Sequence, residues 1–586
     1  MNQDELIKRL DGFEWNDFEC KRAQRGVPED AYKTVSAFAN TAGGWLVFGV
    51  SENAEQLVIT GVDAPDKVQN DFLGTLRSGQ KLNRTIAVEP RRFEIDGKYV
   101  FAFYVPPSPR FDKPVYLKGD PRQSYIRRGA GDEQCTLSEL ERFLRDSALE
   151  RFDGVALPDI AVETCFDTET VKWYQAQFAR RNPEHTEISD PTDFLLNWNY
   201  IIEQDGRLMP TRAGILLFGI GRFVRQILPR PVLDYQRIDT PCDLWSAEQR
   251  WHDRYVFEEN IFQTWQGLVA RYMRIAEHPF SIDPATLRRN DDPPDYVAFR
   301  EAAINLLIHQ DYGDHGRKAV IKIFTDRTIF WNPGDAFATE GELLDPTEKE
   351  VRNPAIVKAF RRIGLSDQAG TGIRAIVRNW RELGRFPPQV NNDAARKDFE
   401  LVLLNRSLLT PATHHFFQTL GTNLSKAQAD TMALALEQAE DQRLSLTDIR
   451  SLGIATKQEA KQIADQLIQL NLLASLSDTQ FQVPQQVRHD LAAKFNAIAE
   501  QVTGEVTGEV TGEVRRLLAV MNGEMKRKDI QKALGLKHED HFRDTYLLPA
   551  LAAGMLEMTQ PDKPKSSKQR YRTTALGLAY QANAIL

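Results

Sequence analysis

One stretch of the chain, FREAAINLLIHQDYG (residues 299–313), constrains the fold more than any other. Its apolar residues recur at the spacing of a helix that is buried on several sides. Glu301, Asn305 and His309 interrupt the pattern every four residues, so a helix would align them along one face. Such a line of polar groups is unfavourable in a helix that is buried all round, because each buried polar group needs a hydrogen-bond partner or loses hydration free energy. The stretch therefore predicts a core helix whose polar face lines a site.

Two glycine turns follow this helix in the sequence. NPGD comes after the predicted hairpin AVIKIFTDRTIFW, and AGTGI opens another predicted helix. Such turns let backbone N–H groups approach a phosphate, and a helix N-terminus favours negative charge. Because the chain contains no Walker sequence GxxxxGK[ST], ATP would have to bind by this other arrangement. We interpret the set as a nucleotide site with Mg²⁺ on Asn305, and the alternative is a helix cap with two ordinary turns. The candidate residues are Glu301, Asn305, His309, Asp311, Asn332, Gly334, Asp335, Gly370, Thr371 and Gly372.

The same motifs carry a family resemblance. PTRAGILLFG, REAAINLLIHQDY, IKIFTDRTIFWNPGD, VRNPAIVKAFRRIGL and GTGI resemble, in this order, the ATP-binding domain of RecG-like proteins that carry a Schlafen AlbA-type domain. That domain is a divergent relative of the GHKL ATPases. The resemblance implies ATP as ligand, Glu301 as a base, Asn305 as a Mg²⁺ ligand, and adenine and phosphate contacts around 332–335 and 370–372. The usual Asp-x-Gly-x-Gly is replaced by Asn-Pro-Gly-Asp, so Asp335 is a candidate adenine contact, and binding without hydrolysis remains an alternative.

A second group of charged residues lies near the N-terminus, in EWNDFECKRA and after the predicted strand WLVFGV. Glu19 and Lys21 would share one face of a strand, whereas Glu14 reaches that face only through a turn. ECKRA, KTVSAFANTAGGWLVFGVSE and SYIRRGAGDEQCTLSELERF resemble the Schlafen AlbA-type domain. In nuclease-active relatives this domain has a Glu-x-x-x-x-Glu pair, a following Lys and a third acid. The resemblance places these at Glu14, Glu19, Lys21 and Glu52, where Glu52 stands in place of the usual Asp.

Three carboxylates converging on Mg²⁺ or Mn²⁺ would activate water for phosphodiester hydrolysis, and Lys21 would counter the phosphate charge. The resemblance therefore implies a metal-dependent nuclease, with RNA or tRNA favoured over DNA as substrate and a role in phage defence or stress. Two alternatives remain open for this domain. It binds nucleic acid without cutting it, or it is an interaction module.

The C-terminal third has the helix, helix, hairpin order of winged-helix modules, and it has this order twice. Between the two copies lies VTGEVTGEVTGEV, a repeat that would form a linker or a weak helix pairing with a second copy of the chain. From residue 515 onward, 13 Lys and Arg face 7 Asp and Glu, a net charge of +6, which favours contact with nucleic acid. The alternative is a solvated basic face. The candidate contacts are Lys526, Arg527, Lys528, Lys565, Lys568, Arg570 and Arg572.

Length and composition set the outer limits. A chain of 586 residues exceeds the roughly 250–300 residues that one core supports. No apolar run approaches the roughly 18–20 residues of a membrane span, we expect no signal peptide, and four scattered cysteines are typical of a reducing cytoplasm.

We expect an α/β multi-domain fold and a homo-oligomer. A rival function is an ATP-responsive DNA-binding transcriptional regulator. The expected segments are a Schlafen AlbA-type domain (1–155), a GHKL-like α/β sandwich (160–405), a winged helix (410–500), the VTGE linker (501–514) and a basic winged helix (515–586).

Overall fold

The computed structural model describes most of the chain in a mixed α/β, multi-domain fold. It separates into two compact units, the first made of residues 1–408, 443–465 and 475–481 and the second of the remainder. The domain boundaries expected from the sequence stay predictions. The described residues are 1–586 without 2, 11–16, 54–55, 149–150, 186–189, 247–250, 276–280, 283–288, 291–293, 346, 348, 367–371, 410–416, 418–423, 438–442, 490–511, 522, 535, 537–538, 553–554, 560–568, 575–576 and 578–586.

The N-terminal part of the first unit is a four-stranded sheet in the order β1-β2-β6-β5, with β1 parallel to β2. Parallel neighbours need a crossover, and helix α2 supplies it. Gly43 turns the chain back at a φ of +81°, and a Cβ on Gly44 would lie 2.5 Å from the Phe38 ring, so both glycines are required. The elements are α1 (Gln3–Leu10), β1 (Phe18–Lys21), α2 (Asp30–Asn40), β2 (Gly44–Phe48), β3 (Val50–Asn53), β4 (Gln56–Ile59), α3 (Pro65–Ser78), β5 (Glu89–Ile95), β6 (Lys98–Val105), β7 (Tyr125–Arg128), β8 (Gly131–Gln134) and α4 (Leu137–Ser147).

Aromatic side chains fill the core between this sheet and helices α2 and α3. The rings of Phe48, Phe72 and Phe103 lie 4.8–5.2 Å apart and are fully buried. A buried Phe side chain contributes about 1.5–3 kcal/mol of burial free energy. Asn40 joins α2 to two other segments, because its amide donates to the carbonyls of Val115 and Tyr125, each at 2.9 Å.

The middle of the first unit is built on a six-stranded sheet in the order β12-β11-β15-β16-β18-β17. The hairpin predicted from AVIKIFTDRTIFW is confirmed, because β15 and β16 pair in antiparallel register with Ile321 opposite Phe330. The elements are α5 (Val162–Cys165), α6 (Thr168–Arg181), α7 (Pro191–Asn197), β9 (Ile201–Gln204), β10 (Arg207–Pro210), α8 (Arg212–Phe218), α9 (Gly221–Ile227), β11 (Leu233–Arg237), β12 (Asp253–Phe257), α10 (Ile261–Tyr272), β13 (Ser281–Ile282), β14 (Arg289–Asn290), α11 (Pro294–His309), β15 (Val320–Ile323), β16 (Arg327–Pro333), α12 (Glu340–Leu343), α13 (Pro354–Arg362), α14 (Gly372–Glu382), β17 (Gln389–Asp393) and β18 (Asp398–Leu404).

The chain beyond residue 424 twice shows the predicted order of helices followed by two short strands. In the last segment β22 and β23 pair in antiparallel register, and Met525 forms an isolated β-bridge with Tyr571. The winged-helix interpretation stays a prediction, and the VTGE repeat lies outside the described residues together with its expected self-association. The elements are α15 (Lys426–Glu437), β19 (Leu444–Ser445), α16 (Leu446–Ser451), α17 (Lys457–Gln469), β20 (Ala474–Ser475), β21 (Gln480–Gln482), α18 (Gly512–Val520), α19 (Arg527–Ala533), α20 (Glu539–Phe542), a π-helical turn (Arg543–Leu547), α21 (Leu548–Ala552), β22 (Leu556–Met558) and β23 (Tyr571–Thr573).

None of the helices within the described part of the chain is both long enough and apolar enough to cross a lipid bilayer.

Candidate functional site

Helix α11 has the two-sided character that its sequence predicts. Glu301, Asn305 and His309 are partly exposed, whereas most of their neighbours on the helix are buried in the core. The polar side chains therefore share one face, at intervals of one turn. The buried residues of the helix are Ala298, Phe299, Ala302, Ala303, Ile304, Leu306, Leu307 and Ile308.

Helix α14 begins directly opposite this polar face. Its first residue is Gly372, and a Cβ at that position would lie 2.8 Å from Nδ2 and 3.1 Å from Oδ1 of Asn305. A side chain at this position would have to displace the Asn305 amide, so the structure brings together two of the predicted site residues. The preceding Gly370 and Thr371 lie outside the described residues.

The NPGD turn lies beside the end of α11. Gly334 has a φ of +98°, and a Cβ there would lie 3.0 Å from the backbone N of Asp311. The N–H of Asp311 donates to the carbonyl of Pro333 at 2.7 Å, which fixes the turn against the helix end. Asn332 is buried and donates its amide to the carbonyls of Pro333 and Gly334 at 3.2 and 3.3 Å. The turn is thus held by backbone contacts that require its glycine.

The two candidate aspartates of this region are ion-paired. Asp335 accepts from Arg352 at 3.0 Å and lies 3.3 Å from the amine of Lys397. Asp311 is paired with Arg145, which belongs to helix α4 of the N-terminal part. Sequence reasoning missed these three cations, because no periodic pattern connects residues so far apart in the chain.

His309 is a neutral imidazole at physiological pH. Burial and, to a lesser extent, the positive charge of Arg352 together lower the pKa of its ring to about 4. His309 thus lies between Asn305 on α11 and the charged residues around the NPGD turn, of which Arg352 acts on its ring.

In the N-terminal part, Glu19 and Lys21 share one face of β1 as predicted, with 2.7 Å between Oε1 and Nζ. Lys21 also pairs with Asp30 at the start of α2, at 3.0 Å. The other carboxylate oxygen of Glu19 lies 3.0 Å from Arg127, whose guanidinium also binds Asp132 at 2.9 Å. Sequence reasoning did not single out Arg127, although the quoted motif SYIRRG contains it. Glu19 is therefore held between two cations.

Glu52 is exposed on β3. Its charge contributes to raising the pKa of the Cys20 thiol, for which burial is the main cause. Cys20 alternates with Glu19 along β1, so its side chain faces the opposite side of the strand. The structure thus joins Glu19 to Lys21, while Glu14 lies outside the described residues and the shared metal site of the three acids stays a prediction.

Metal ligation has only partial support from the residues that the structure describes. They contain no cluster of three or more His, Cys, Asp or Glu side chains arranged to hold an ion, but Glu14 is not among them. At the α11 site the fit to Mg²⁺ and a nucleotide is better. The amide of Asn305 supplies an oxygen ligand of the kind that Mg²⁺ prefers, and it lies directly beside Gly372 at the N-terminus of α14.

The basic residues of the last segment are partly neutralised. Arg527 lies 3.4 Å from Glu539, Arg572 lies 2.5 Å from Glu557, and Arg570 donates to the carbonyl of Glu524 at 3.3 Å. Lys526 and Lys528 are exposed at the start of α19. Lys565 and Lys568 lie outside the described residues.

Four family models match separate parts of the chain. Residues 14–136 match the Schlafen, AlbA_2 family, and residues 316–403 match the recG C-terminal family, HATPase_c_4. These matches confirm both resemblances drawn from the motifs. Residues 512–574 match the C-terminal domain of the Fic-like protein "filamentation induced by cAMP", and residues 141–234 match a domain of unknown function, DUF8451.

Three solved structures resemble the chain over different lengths. The DIP2311 protein from Corynebacterium diphtheriae is 16% identical over 95% of this chain and 94% of its own, with a TM-score of 0.36. The N-terminal domain of a RecG-related protein from Nitrosomonas europaea is 29% identical over 23% of this chain and 95% of its own, with a TM-score of 0.19. A Fic family protein from Desulfovibrio desulfuricans G20 is 14% identical over 70% of this chain and 97% of its own, with a TM-score of 0.11. All three TM-scores are too low to establish the fold of the whole chain. Among curated proteins, no sequence match was found.

Proposed function

We propose that this chain binds ATP in its middle part and acts on nucleic acid through its N-terminal part, as a metal-dependent nuclease that favours RNA. The observation that carries the nucleotide half is the polar face of α11 meeting Gly372. The match of residues 316–403 to the recG C-terminal family supports the same half. The match of residues 14–136 to the Schlafen AlbA_2 family supports the nucleic-acid half.

Each residue of the nucleotide site has a defined task in this proposal. Asn305 ligates Mg²⁺ through its amide oxygen, and the N-terminus of α14 at Gly372 faces the phosphates with its free N–H groups. Glu301 accepts a proton from water and orients it. The metal, when bound, neutralises the phosphate charge. Calorimetric titration with Mg·ATP tests this half, and the absence of any binding to the wild-type chain overturns it.

In the proposed nuclease site, Glu19 holds a divalent metal together with Glu14 and Glu52, and Lys21 binds the substrate phosphate. Glu19 is now engaged by Lys21 and Arg127, so metal binding requires that Lys21 exchange its carboxylate partner for phosphate. Lys21 keeps Asp30 as a partner, and phosphate would take the place of Glu19 as its second anion, so the arrangement favours a site that assembles when substrate arrives.

The test is cleavage of labelled tRNA and single-stranded DNA with Mg²⁺ or Mn²⁺, with and without ATP. Glu19→Gln keeps the side-chain shape and removes its charge, so it should abolish cleavage. Glu169→Gln is the matched control, because Glu169 is an exposed acid of α6 that pairs with Lys172 at 3.4 Å, as Glu19 pairs with Lys21. Cleavage by Glu19→Gln at the wild-type rate would overturn the nuclease assignment.

One observation favours a second function, an ATP-responsive DNA-binding regulator. The order of helices and strands after residue 424 matches the winged-helix order twice, and such modules place a helix in the major groove. For this function we expect duplex binding that changes with ATP, measured by fluorescence anisotropy, and no cleavage of any substrate with either metal.

A further inference from the structure

Helix α4 connects the N-terminal part of the first unit to the candidate nucleotide site. Its final turn carries Asp146, a carboxylate that is only 8% exposed. Asp146 is paired with Arg352, and its other oxygen lies 3.3 Å from the amine of Lys397. Both cations come from the middle part of the chain, more than 200 residues away in sequence.

The same two cations hold the NPGD turn. Arg352 donates to the carboxylate of Asp335 at 3.0 Å and to its carbonyl at 3.1 Å. Lys397 lies 3.3 Å from that carboxylate, and its own carbonyl accepts from the N–H of Gly334 at 2.8 Å. Asp146 and Asp335 therefore share Arg352 and Lys397 in a buried cluster of two anions and two cations.

The charge of Asp146 is needed inside this cluster. Burial would raise the pKa of its carboxyl, but the charges of Arg352 and Lys397 outweigh burial and lower that pKa to about 2. For the nearby Lys113 the surroundings disfavour the charged form. Burial and then the Lys397 charge lower the pKa of its amine to about 7. Losing the Asp146 charge would remove one of the two carboxylates that pair with both Arg352 and Lys397.

Arg352 also contacts the rest of the nucleotide site. A Cβ on Gly334 would lie 2.9 Å from its Nε, so the guanidinium packs directly on the glycine turn. Its charge is felt by His309, one turn after Asn305 on α11. Contacts that hold the Arg352 guanidinium in place therefore also hold the NPGD turn at the His309 end of the nucleotide site.

We propose that Asp146 is a positioning residue of the nucleotide site, so that the N-terminal part of the chain completes this site. In return, nucleotide binding strengthens the contact of α4 with the NPGD turn. This inference rests on the proposed nucleotide function. Asp146 holds Arg352 and Lys397 in place, these two hold Asp335 and the NPGD turn, and the turn borders α11. Because coupling between two sites is reciprocal, a nucleotide that needs the ordered turn must also stabilise the contact of α4 with it.

The test is calorimetric titration of the full chain with Mg²⁺ and a non-hydrolysable ATP analogue. We expect Asp146→Asn to weaken nucleotide affinity about 10-fold, within the range of typical couplings, and Asp146→Glu to restore part of it. The matched control is Asp234→Asn. Asp234 is also fully buried and also pairs with two cations, Arg254 at 2.7 Å and Lys318 at 2.6 Å, but it lies on β11, outside this cluster.

Deuterium exchange of residues 137–147 supplies an independent measurement on the unmutated chain. Nucleotide should slow this exchange in the wild type and leave it unchanged in Asn305→Ala, in which nucleotide binding is impaired. Equal affinity of Asp146→Asn and the wild type, or equal weakening by Asp146→Asn and Asp234→Asn, overturns the role of Asp146. A wild-type chain that binds no nucleotide overturns the proposed function itself, a result that is distinct from both.

Discussion

At the scale of single residues, the missing side chain of Gly372 matters as much as the side chains around it. An added methyl group would lie 2.8 Å from Nδ2 of Asn305, closer than real Cβ contacts allow. Gly74 gives the contrast, because it lies inside helix α3 and a Cβ there meets nothing within 4 Å. A side chain is therefore sterically excluded at Gly372, whereas no packing contact excludes one at Gly74.

This difference gives the first prediction. Gly372→Ala should displace the Asn305 amide and weaken Mg·ATP binding, while the stability of α14 is kept because Ala is the better helix former. Gly74→Ala should leave affinity unchanged and stabilise the chain by up to about 1 kcal/mol. Calorimetric titration and urea unfolding measure the two effects. Wild-type affinity in Gly372→Ala would contradict the closeness of the α11–α14 contact.

The second prediction concerns acid stability. The imidazole of His309 has a pKa of about 4 in the folded chain, against 6.5 when unfolded. Between pH 6.5 and 4 the unfolded chain therefore binds more protons, and stability falls as the pH falls through this window. His309→Gln should lose this dependence, so that its unfolding free energy declines less steeply than that of the wild type.

The comparison between variant and wild type is essential for this measurement. Asp153 is fully buried, and burial raises the pKa of its carboxyl to about 6, which makes the folded chain gain stability as the pH falls from 6 to 3.8. The wild-type profile therefore mixes two opposite slopes. Parallel profiles of wild type and His309→Gln between pH 4 and 6.5 would contradict the lowered pKa of this imidazole.

How much of the site the sequence predicts depends on the range of its contacts. The Glu301–Asn305–His309 stripe follows from helical period alone, and the Glu19–Lys21 pair follows from strand alternation. The partners of the candidate aspartates do not follow from any local pattern, because their contacts depend on tertiary packing. Glu52 lies on β3, which pairs with β4 in a sheet separate from that of β1 and β2, and alternation within one strand cannot show such a change of sheet.

At the scale of elements, some helix ends are stabilised locally and others by distant segments. Helix α4 begins with a capping box of Thr136 and Glu139, a spacing that is visible in the sequence itself. Helix α13 begins instead with backbone N–H groups of Ala355 and Ile356 that donate to the carboxylate of Asp153 at 2.7 and 3.1 Å. The sequence therefore predicts the existence of both helices but explains the start of only one.

The third prediction belongs to helix α19 in the C-terminal segment. Lys526 and Lys528 are exposed at its first turn, where negative charge favours a helix, so reversing both should not unfold it. Lys526→Glu with Lys528→Glu should weaken binding to nucleic acid of any sequence and reduce the salt slope by about one unit per lost phosphate contact. Fluorescence anisotropy across a salt series measures both quantities.

The control for this pair carries the same change of net charge on other helices. Lys172 and Lys358 are exposed on α6 and α13, so Lys172→Glu with Lys358→Glu adds equal negative charge away from the C-terminal segment. An equal loss of affinity in this control would show a general effect of net charge. It would mean that the basic C-terminal segment is a solvated surface without direct contacts to nucleic acid.

At the scale of the whole molecule, the first unit does not end at residue 405, where the sequence predicts that the nucleotide-binding domain ends. Helix α16, from the segment predicted as a separate winged helix, is included in it. Arg450 of this helix is 2% exposed, and its guanidinium binds the carboxylate of Asp345 at 2.6 Å and the carbonyl of Gly341 at 3.0 Å. Composition and period could not predict this contact, because an arginine on a polar helix face is ordinarily solvated.

The last prediction follows from the burial of that arginine. Arg450→Met keeps the length of the side chain and leaves Asp345 without its cation. Asp345 is 31% exposed and regains water, so the loss should be about 2 kcal/mol, below the 3–5 kcal/mol of a fully buried pair. Urea unfolding of Arg450→Met, Asp345→Asn and the double variant measures it, and the double variant should lose less than the sum of the single ones. Additive losses would mean that the two residues stabilise the unit separately, and that α16 is held to the nucleotide-binding part by contacts other than this ion pair.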